Sequence, residues 1–469
     1  MNLKDGRKTV SGWRGRIASY LPSPAWKITH SAFMAVDQLR TKGARRNLRP
    51  LDKSLTIEGI RLETLAHIES ILDRAGIESV RETHLGCTHL QLPNTLLPSV
   101  APLFASTGLS SNTPHIANDR LRLSPFAHSL RKNITRAMSI QVTDCRSLPP
   151  DDQSPVLDEP IDVVYTWVDS EDPQWKKEYA AALKQYGSTS PRTASDIVRF
   201  QDREELKYSL RALEMFAPWV NHIYIVTNGQ VPGWLDTNNS RVTIVTHEQI
   251  FENPEDLPTF NSHAIEANLH RIPGLKEHFL YFNDDVFLAD WCTPRTFFTN
   301  EGLSKFFESE NRVPDDPSVT DLPSNWAAFN IKRMLQDRFN YKVTHKFKHT
   351  AHAQRLSTLK HAAKDFHSSL NETSRQKFRQ RTDVALPSNL AHHFGAIVGT
   401  ATSAEINYRY IDISSPRAEI ELSRLLLWDQ PTIFCLNQVA SKKSPATDDE
   451  LMIKSFLENY FPWKSSAEI

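Results

Sequence analysis

An α/β fold around a mainly parallel sheet is what this sequence predicts, with helical additions and a smaller α/β module ahead of it. Three observations carry that expectation. From residue 161 onward, β-branched and aromatic runs alternate with stretches of helical periodicity, the pattern of strands joined by helical crossovers. Several of these runs are apolar almost throughout, as strands covered on both faces are. Acids gather just after such runs, where open α/β sheets place their ligands.

Composition sets the outer limits. The 469 residues are 39% hydrophobic and 23% charged, with no net charge, which is a globular balance spread over two or three domains. Neutrality conceals an asymmetry: residues 1–53 hold twelve Lys/Arg against three acids. Cys87, Cys145, Cys292 and Cys435 lack paired spacing, so neither a zinc motif nor a disulfide framework is visible. No stretch is apolar enough to span a membrane, and Arg14 and Arg16 interrupt the first apolar run, so no signal peptide is read. The expectation is a cytoplasmic protein. Its basic, aromatic arm at 1–53 suits peripheral contact with the inner membrane face better than nucleic acid, which is not an expected partner.

In chain order, residues 54–150 read as a small accessory module. Ile57, Ile60, Leu65, Ile68 and Leu72 recur at helical spacing, Gly76 stops that helix, and Ile77–Arg81 reads as a strand. A Pro-rich, acidic linker ends near 155. The core, residues 155–300, opens with the strand Ile161–Val168, which breaks into Asp169, Glu171 and Asp172; Asp172 reads as setting the turn before Pro173. A helix at Arg203–Met215 ends before Pro218, strands follow at His222–Thr227 and Arg241–Thr246, then a helix at Ser262–His270 and a strand at Phe279–Phe282. Residues 301–469 begin with an acidic, Pro-rich loop or lid at 308–325. They continue as a basic helical insert from Lys332 to Arg381 and close with a helix at 447–461 whose apolar face is Leu451, Phe456 and Tyr460.

Three acidic clusters border predicted strands or helices: Asp169/Glu171/Asp172, Asp202/Glu204/Glu205 and Asp284/Asp285. Converging carboxylates require a cation between them or a proton on one. Oxygen ligands of this kind suit magnesium or manganese. A solvated turn is the bland alternative for each cluster. His349 and His352 share one face if their segment is helical, and Arg375, Arg379 and Arg381 follow as guanidinium forks that match phosphate oxygens. His392 and His393 fit a core role better than catalysis. With 15 Gly in the chain, no glycine-rich phosphate loop is present, so side chains or metal must hold any phosphate.

Longer motifs add a resemblance. Residues 161–175 (I-D-V-V-Y-T-W-V-D-S-E-D-P-Q-W) resemble the first sequence block of the Stealth family of sugar-phosphotransferases. The second block is similar through R-F-Q-D-R-E-E-L-K-Y-S-L-R (199–211), H-I-Y-I-V-T-N-G-Q-V-P-G-W-L (222–235), L-P-T-F-N-S-H-A-I-E (257–266) and F-L-Y-F-N-D-D-V-F-L (279–288). The third is similar over His349–Gly395 and the fourth over Ile433–Asn437. Departures occur at Ser170-Glu171, at Arg203, at Thr350-Ala351, and at Gln438, where the family usually has an acid.

The resemblance implies a glycosyltransferase-like nucleotide-sugar fold, a divalent metal, and transfer of hexose-1-phosphate from a nucleotide-sugar donor to a saccharide acceptor, with release of a nucleoside monophosphate. Carried over by motif position, Asp169, His349 and Arg379 are the implied catalytic residues, and Asp284 and Asp285 the implied metal ligands. Asp202, Glu205, Arg211, Asn228, Ser262 and Asn283 are the implied substrate-binding residues. Two alternatives stand beside this reading: ordinary glycosyl transfer releasing a nucleoside diphosphate, and a non-catalytic carbohydrate-binding protein.

Overall fold

The computed structural model describes residues 55–469, apart from 85, 93–95, 105–106, 108, 110–115, 118–119, 124–137, 139, 145–156, 158, 188–199, 319–320, 428 and 439–446. The basic arm expected at 1–53 and most of the linker before 155 lie outside the described residues.

The central sheet has the order β14-β9-β6-β7-β8. Strands β6 (Ile161–Thr166), β7 (Ile223–Thr227), β8 (Val242–Thr246) and β9 (His278–Asn283) run parallel, while β14 (His352–Arg355) is antiparallel on the β9 edge. The expectation of a mainly parallel α/β sheet is met. The strands read as continuous apolar runs because side chains two apart share a face and both faces are covered. Val163, Tyr165, Ile225, Leu280 and Phe282 enter one core with α3 (Glu205–Phe216) through Leu206, Leu210 and Leu213. Their neighbours Val164, Tyr224, Val226, Phe279 and Tyr281 enter the other. That second core is closed by Ile331 and Leu335 of α5 (Pro323–Phe339), Leu359 of α6 (Leu356–Asp365) and Phe394 of α8 (Ala391–Val398). The exception in β6 is Asp162, fully buried, whose carboxylate accepts from the Asn221 amide (2.8 Å) and the Lys276 backbone N–H (2.9 Å). Those bonds offset the cost of burying it.

The N-terminal module is a five-stranded sheet in the order β1-β2-β5-β4-β3, comprising β1 (Val80–His84), β2 (Cys87–Leu92), β3 (Ile116–Ala117), β4 (Arg120–Leu123) and β5 (Ile140–Asp144). Helix α1 (Ile57–Arg74) covers it, burying Leu65, Ile68 and Leu72 against Leu90, Leu121 and Val142. The strand begins at Val80 rather than Ile77, because Gly76 at φ +69° turns the chain out of the helix and 77–79 complete that turn. The first turn of α1 belongs to the main core through Ile57 and Ile60. Arg61 donates to the Glu214 and Met215 carbonyls at the end of α3 (3.2 and 3.0 Å). Gly86, in the β1–β2 turn, abuts the same place: a Cβ there would stand 2.3 Å from the Pro218 carbonyl oxygen, so the contact admits only glycine.

The second half departs from expectation in three places. Within the presumed loop at 308–325, β12 (Glu308–Arg312) pairs antiparallel with β13 (His345–Phe347), and α5 starts at Pro323. The presumed helical insert is broken by β13 and β14, so His349 and His352 do not share a helix face. In α10 (Thr447–Tyr460), Phe456 and Tyr460 are buried but Leu451 is 63% exposed. Strand β10 (Val286–Leu288) joins a separate sheet, β10-β17-β16, with β16 (Tyr408–Asp412) and β17 (Ile433–Asn437); β11 (Ser304–Phe306) and β15 (Ala401–Ser403) form a parallel pair. Among the described residues no helix is long and apolar enough to cross a membrane.

Three histidines fill the junction of β14 and α8. His352 Nδ1 lies 3.0 Å from His392 Nε2, and the His393 ring, with both nitrogens buried and unpartnered, packs on Phe347 (4.6 Å between centroids). Burial pushes His352 down to about 3 and His393 down to about 4. The unfolded chain takes up a proton on His393 near pH 6.5 that the folded chain refuses until about 4, so stability falls as pH drops through that window. His393→Phe, which keeps the ring packing, is therefore expected to recover about 2 kcal/mol at pH 5 relative to its effect at pH 8. Urea unfolding at the two pH values measures this. An equal effect at both would remove His393 from the acid response.

Candidate active site

Sheet register decides what meets. Thr166 at the end of β6 pairs with Val226 of β7 and Asn283 of β9, so the segments after these strands leave the sheet along one edge. Asp169, Asn228, Asp284 and Asp285 all lie on those segments. Strand β14 runs the other way, with His352 opposite Tyr281, so the residues just before it return to the level of Asn283–Asp285 and deliver His349 there. Strand β17 is antiparallel to β10, Cys435 opposite Val286, which carries Asn437 to the same place. The N-terminus of α3 adds Asp202 and Glu205.

Asp285 is the meeting point. Its Oδ1 lies 3.2 Å from His349 Nε2, and its Oδ2 accepts from the Asn437 amide (2.9 Å) and the Cys435 thiol (3.4 Å). Burial alone would raise its pKa, but the neighbouring imidazole and these donors lower it. Burial would likewise lower His349, and the Asp285 carboxylate reverses that, holding its pKa above the ordinary 6.5. Each group favours the charged form of the other. The Asn283 amide lies 3.2 Å from the same His349 nitrogen, and its Oδ1 accepts from the Tyr281 hydroxyl (2.9 Å). That hydroxyl also reaches Glu266 (3.4 Å), whose other oxygen accepts from Ser388 (2.6 Å).

On the other side stand acids without such compensation. Burial, with the charges of Asp285, Glu205 and Asp202, pushes Asp284 well above the carboxylate range. Burial pushes Asp202 up to about 6, with the Asp169 charge adding to it. Glu205 is pushed up to about 7, chiefly by burial, with Asp202 adding and Arg203 opposing. Carboxylates that raise one another in this way fit a hard divalent cation, which would replace the shared protons. Asp285, His349 and Cys435 also place one ligand atom each within 4.8 Å of one another. Burial holds the Cys435 thiol protonated and it donates to Asp285, so this set fits an oxygen-preferring cation better than a thiolate-bound one.

The remaining sequence-derived residues divide. Arg379 is half-buried and both its Nε (3.0 Å) and Nη2 donate to Ser262 Oγ; burial lowers its pKa, while Glu266, Asp383 and Tyr281 act against that, which puts it in the same electrostatic neighbourhood. Asp169 is fixed through its backbone, which exchanges hydrogen bonds with the Gln230 amide (3.0 and 2.8 Å). Asn228, directly after β7, keeps a buried Oδ1 without a partner. Asp172 caps helix α2 (Pro173–Tyr186) by accepting from the Trp175 N–H (2.7 Å), the structural role expected of it. Arg211 is a correction. Its fork is held by both Glu468 oxygens (2.7 and 2.6 Å) and the Phe461 carbonyl (2.9 Å), so it ties the C-terminal segment to α3 and is not available to substrate. Sequence reasoning missed Tyr281 and Ser388; inside an apolar strand a tyrosine looks like any other core aromatic.

Fold and site together define an α/β protein with a carboxylate–imidazole centre at the carboxyl edge of its parallel sheet. The chain matches the models of Stealth protein conserved region 1 over residues 159–187, region 2 over 199–306 and region 3 over 348–396, and it belongs to the Stealth family. It is 39% identical over 361 residues to exopolysaccharide phosphotransferase SCO6023 of Streptomyces coelicolor, covering 77% of this chain and 60% of that protein. It is 35% identical over 306 residues to exopolysaccharide phosphotransferase CpsY of Mycobacterium tuberculosis, covering 64% and 57%. The chain thus spans about three-fifths of the length of these relatives. Among solved structures, galactosyltransferase LgtC, in complex with donor and acceptor sugar analogs, overlaps 63% of this chain and 95% of its own at 12% identity with a TM-score of 0.33, too low to carry an argument.

Arg211→Met should cost about 3–5 kcal/mol, because it leaves the buried Glu468 carboxylate without its partner. Thermal unfolding reads this. Wild-type stability together with lost activity would instead return Arg211 to the site.

Proposed function

We propose that this protein transfers a hexose-1-phosphate from a nucleotide sugar to a hydroxyl of a saccharide acceptor, releasing a nucleoside monophosphate, in the synthesis of a phosphate-linked exopolysaccharide. The observation that carries the reading is the Asp285–His349 pair at the carboxyl edge of the sheet, flanked by Arg379 and the acids at Asp169, Asp202, Glu205 and Asp284. The names of the two relatives support the same reaction class.

In-line displacement at phosphorus needs positioning and neutralised charge more than covalent chemistry. Asp284 and Asp285 would hold a magnesium or manganese ion, which supplies positive charge against the donor's diphosphate when bound. Arg379 offers a half-buried guanidinium to the phosphoryl oxygens, with Ser262 fixing its orientation. Asn228, whose buried Oδ1 has no partner among the described residues, and Asn283, beside His349, would orient the donor. His349 enters as an imidazolium, suited to stabilising charge as it builds on the phosphoryl group; to act as a base it must first lose its proton. Asp202 at about 6 and Glu205 at about 7 are carboxylates that change protonation close to neutral pH, as groups that exchange protons with a substrate hydroxyl do.

Incubation of the purified protein with a panel of nucleotide sugars, magnesium or manganese, and oligosaccharide acceptors, followed by chromatography, tests this. Nucleoside monophosphate is the expected product; nucleoside diphosphate would mean glycosyl transfer, and no turnover with any donor would mean a binding protein. His349→Ala should lower transfer by roughly 10²–10⁴-fold while the protein stays folded. Near-normal turnover would remove His349 from the reaction.

A further inference from the structure

Beside Asp285 lies a surface that the reaction described above does not use. Strands β16 and β17 are parallel, with Tyr408 opposite Ile433, Tyr410 opposite Cys435 and Asp412 opposite Asn437. Paired residues of neighbouring strands point to the same face of a sheet. Tyr410 therefore stands on the face from which Cys435 and Asn437 reach Asp285. Its other neighbours on β16, Arg409 and Ile411, point away; Arg409 pairs with Asp429 (3.1 Å), and Ile411 enters the main core. Strand β16 is the outer strand of its sheet among the described residues.

Tyr410 is 47% exposed, although it sits beside two groups bonded to the half-buried Asp285 carboxylate. Burial of the phenol raises its pKa, and Cys435, Asp285 and Asp412 act on it in the same direction, so the hydroxyl lies within their reach. Among the described residues its hydroxyl has no hydrogen-bond partner. Asp412, two residues on, is half-buried and accepts from Ser414 N–H (3.0 Å) and Ser414 Oγ (2.6 Å) through Oδ1, and among the described residues its Oδ2 has no partner. The Asn437 side-chain amide donates to Asp285, and among the described residues its Oδ1 has no partner. An open aromatic ring rimmed by a carboxylate and an amide is the chemistry that seats a sugar: the apolar C–H face lies on the ring, and hydroxyls donate to the rim. The neighbouring acids make the place unfavourable for an anionic group, so a diphosphate does not belong on it.

We propose that the Tyr410 face of β16 is a saccharide platform that seats one neutral sugar ring of the acceptor, with Asp412 and Asn437 receiving its hydroxyls, next to Asp285 and His349. This rests on the phosphotransfer reading only for the word acceptor; the platform itself is a binding site. It makes Tyr410 a determinant of acceptor affinity. The ring sits on β16, whereas Asn228 and Asn283, assigned to the donor, lie at the ends of β7 and β9.

The test uses saturation-transfer NMR on the full chain with a panel of neutral gluco-, galacto- and manno-configured tetrasaccharides, on wild type, Tyr410→Phe and Tyr410→Ala. At least one tetrasaccharide should bind wild type and the phenylalanine variant alike, with saturation strongest on the C–H protons of one ring. Tyr410→Ala should weaken it about tenfold, the scale of one lost aromatic stack. Calorimetry with the nucleotide sugar alone should give the same Kd for all three proteins. The proposal is overturned if no tetrasaccharide binds wild type, or if Tyr410→Ala binds as tightly as Tyr410→Phe. It is overturned too if Tyr410→Ala weakens the nucleotide sugar instead, since the ring then serves the nucleobase. Release of a nucleoside diphosphate would defeat the reaction reading and leave the platform standing.

Discussion

The carboxylate of Asp285 is the constraint on which the centre of this molecule depends. Three segments far apart in sequence end on it: His349 ahead of β14, Asn437 and Cys435 on β17, and its own turn between β9 and β10. Left alone, a carboxyl group this enclosed would keep its proton. The imidazole and two further donors that face it draw its pKa down, and the carboxylate in turn draws the pKa of His349 up. Each group fixes the state of the other, and both fix the position of the chain that carries them.

What allows that convergence is the mixed direction of the strands. Parallel strands put all their loops at one edge, but they cannot bring the start of another strand to that edge. Antiparallel pairing reaches it in two places: β14, on the β9 edge of the central sheet, carries in His349 ahead of its first residue, and β17, beside β10 in the separate three-stranded sheet, carries in Asn437 at its end. Apolar cores on both faces of the central sheet keep the register, since a slip of one residue would exchange the two faces of every strand. The N-terminal module is tied to this frame at the end of α3, through Arg61 and the glycine contact at Gly86, away from the acidic N-terminus of that helix.

Much of this was legible in the sequence, and the unread parts have physical reasons. Runs such as Ile161–Thr166 and His278–Asn283 announced a doubly covered sheet, and the acids after them announced its active edge. The spacing of His349 and His352 fits a helix turn as well as the approach to a strand, and only pairing with Tyr281 decides between them. Arg211 sits in the same motif as Glu205 but two positions past Ser209, whose hydroxyl donates to the Val286 carbonyl beside the site. Two residues turn a helix by about 200°, so Arg211 faces the C-terminal segment instead. Tyr281 shows the opposite failure: its ring packs as a core aromatic while its hydroxyl links Glu266 to Asn283. Burial of the ring is visible in a pattern of apolar residues, and the destination of the hydroxyl is not.

The most direct measurement is the titration of His349 itself, by histidine-selective NMR of the wild-type protein and of Asp285→Asn. Coupling to Asp285 predicts that the wild-type imidazole keeps its proton above pH 6.5 and that the asparagine variant, where burial and Arg379 are opposed by Glu266 alone, loses it at a lower pH than the wild type. An unchanged titration in the variant would contradict the account, because His349 would then owe its charge to something other than Asp285.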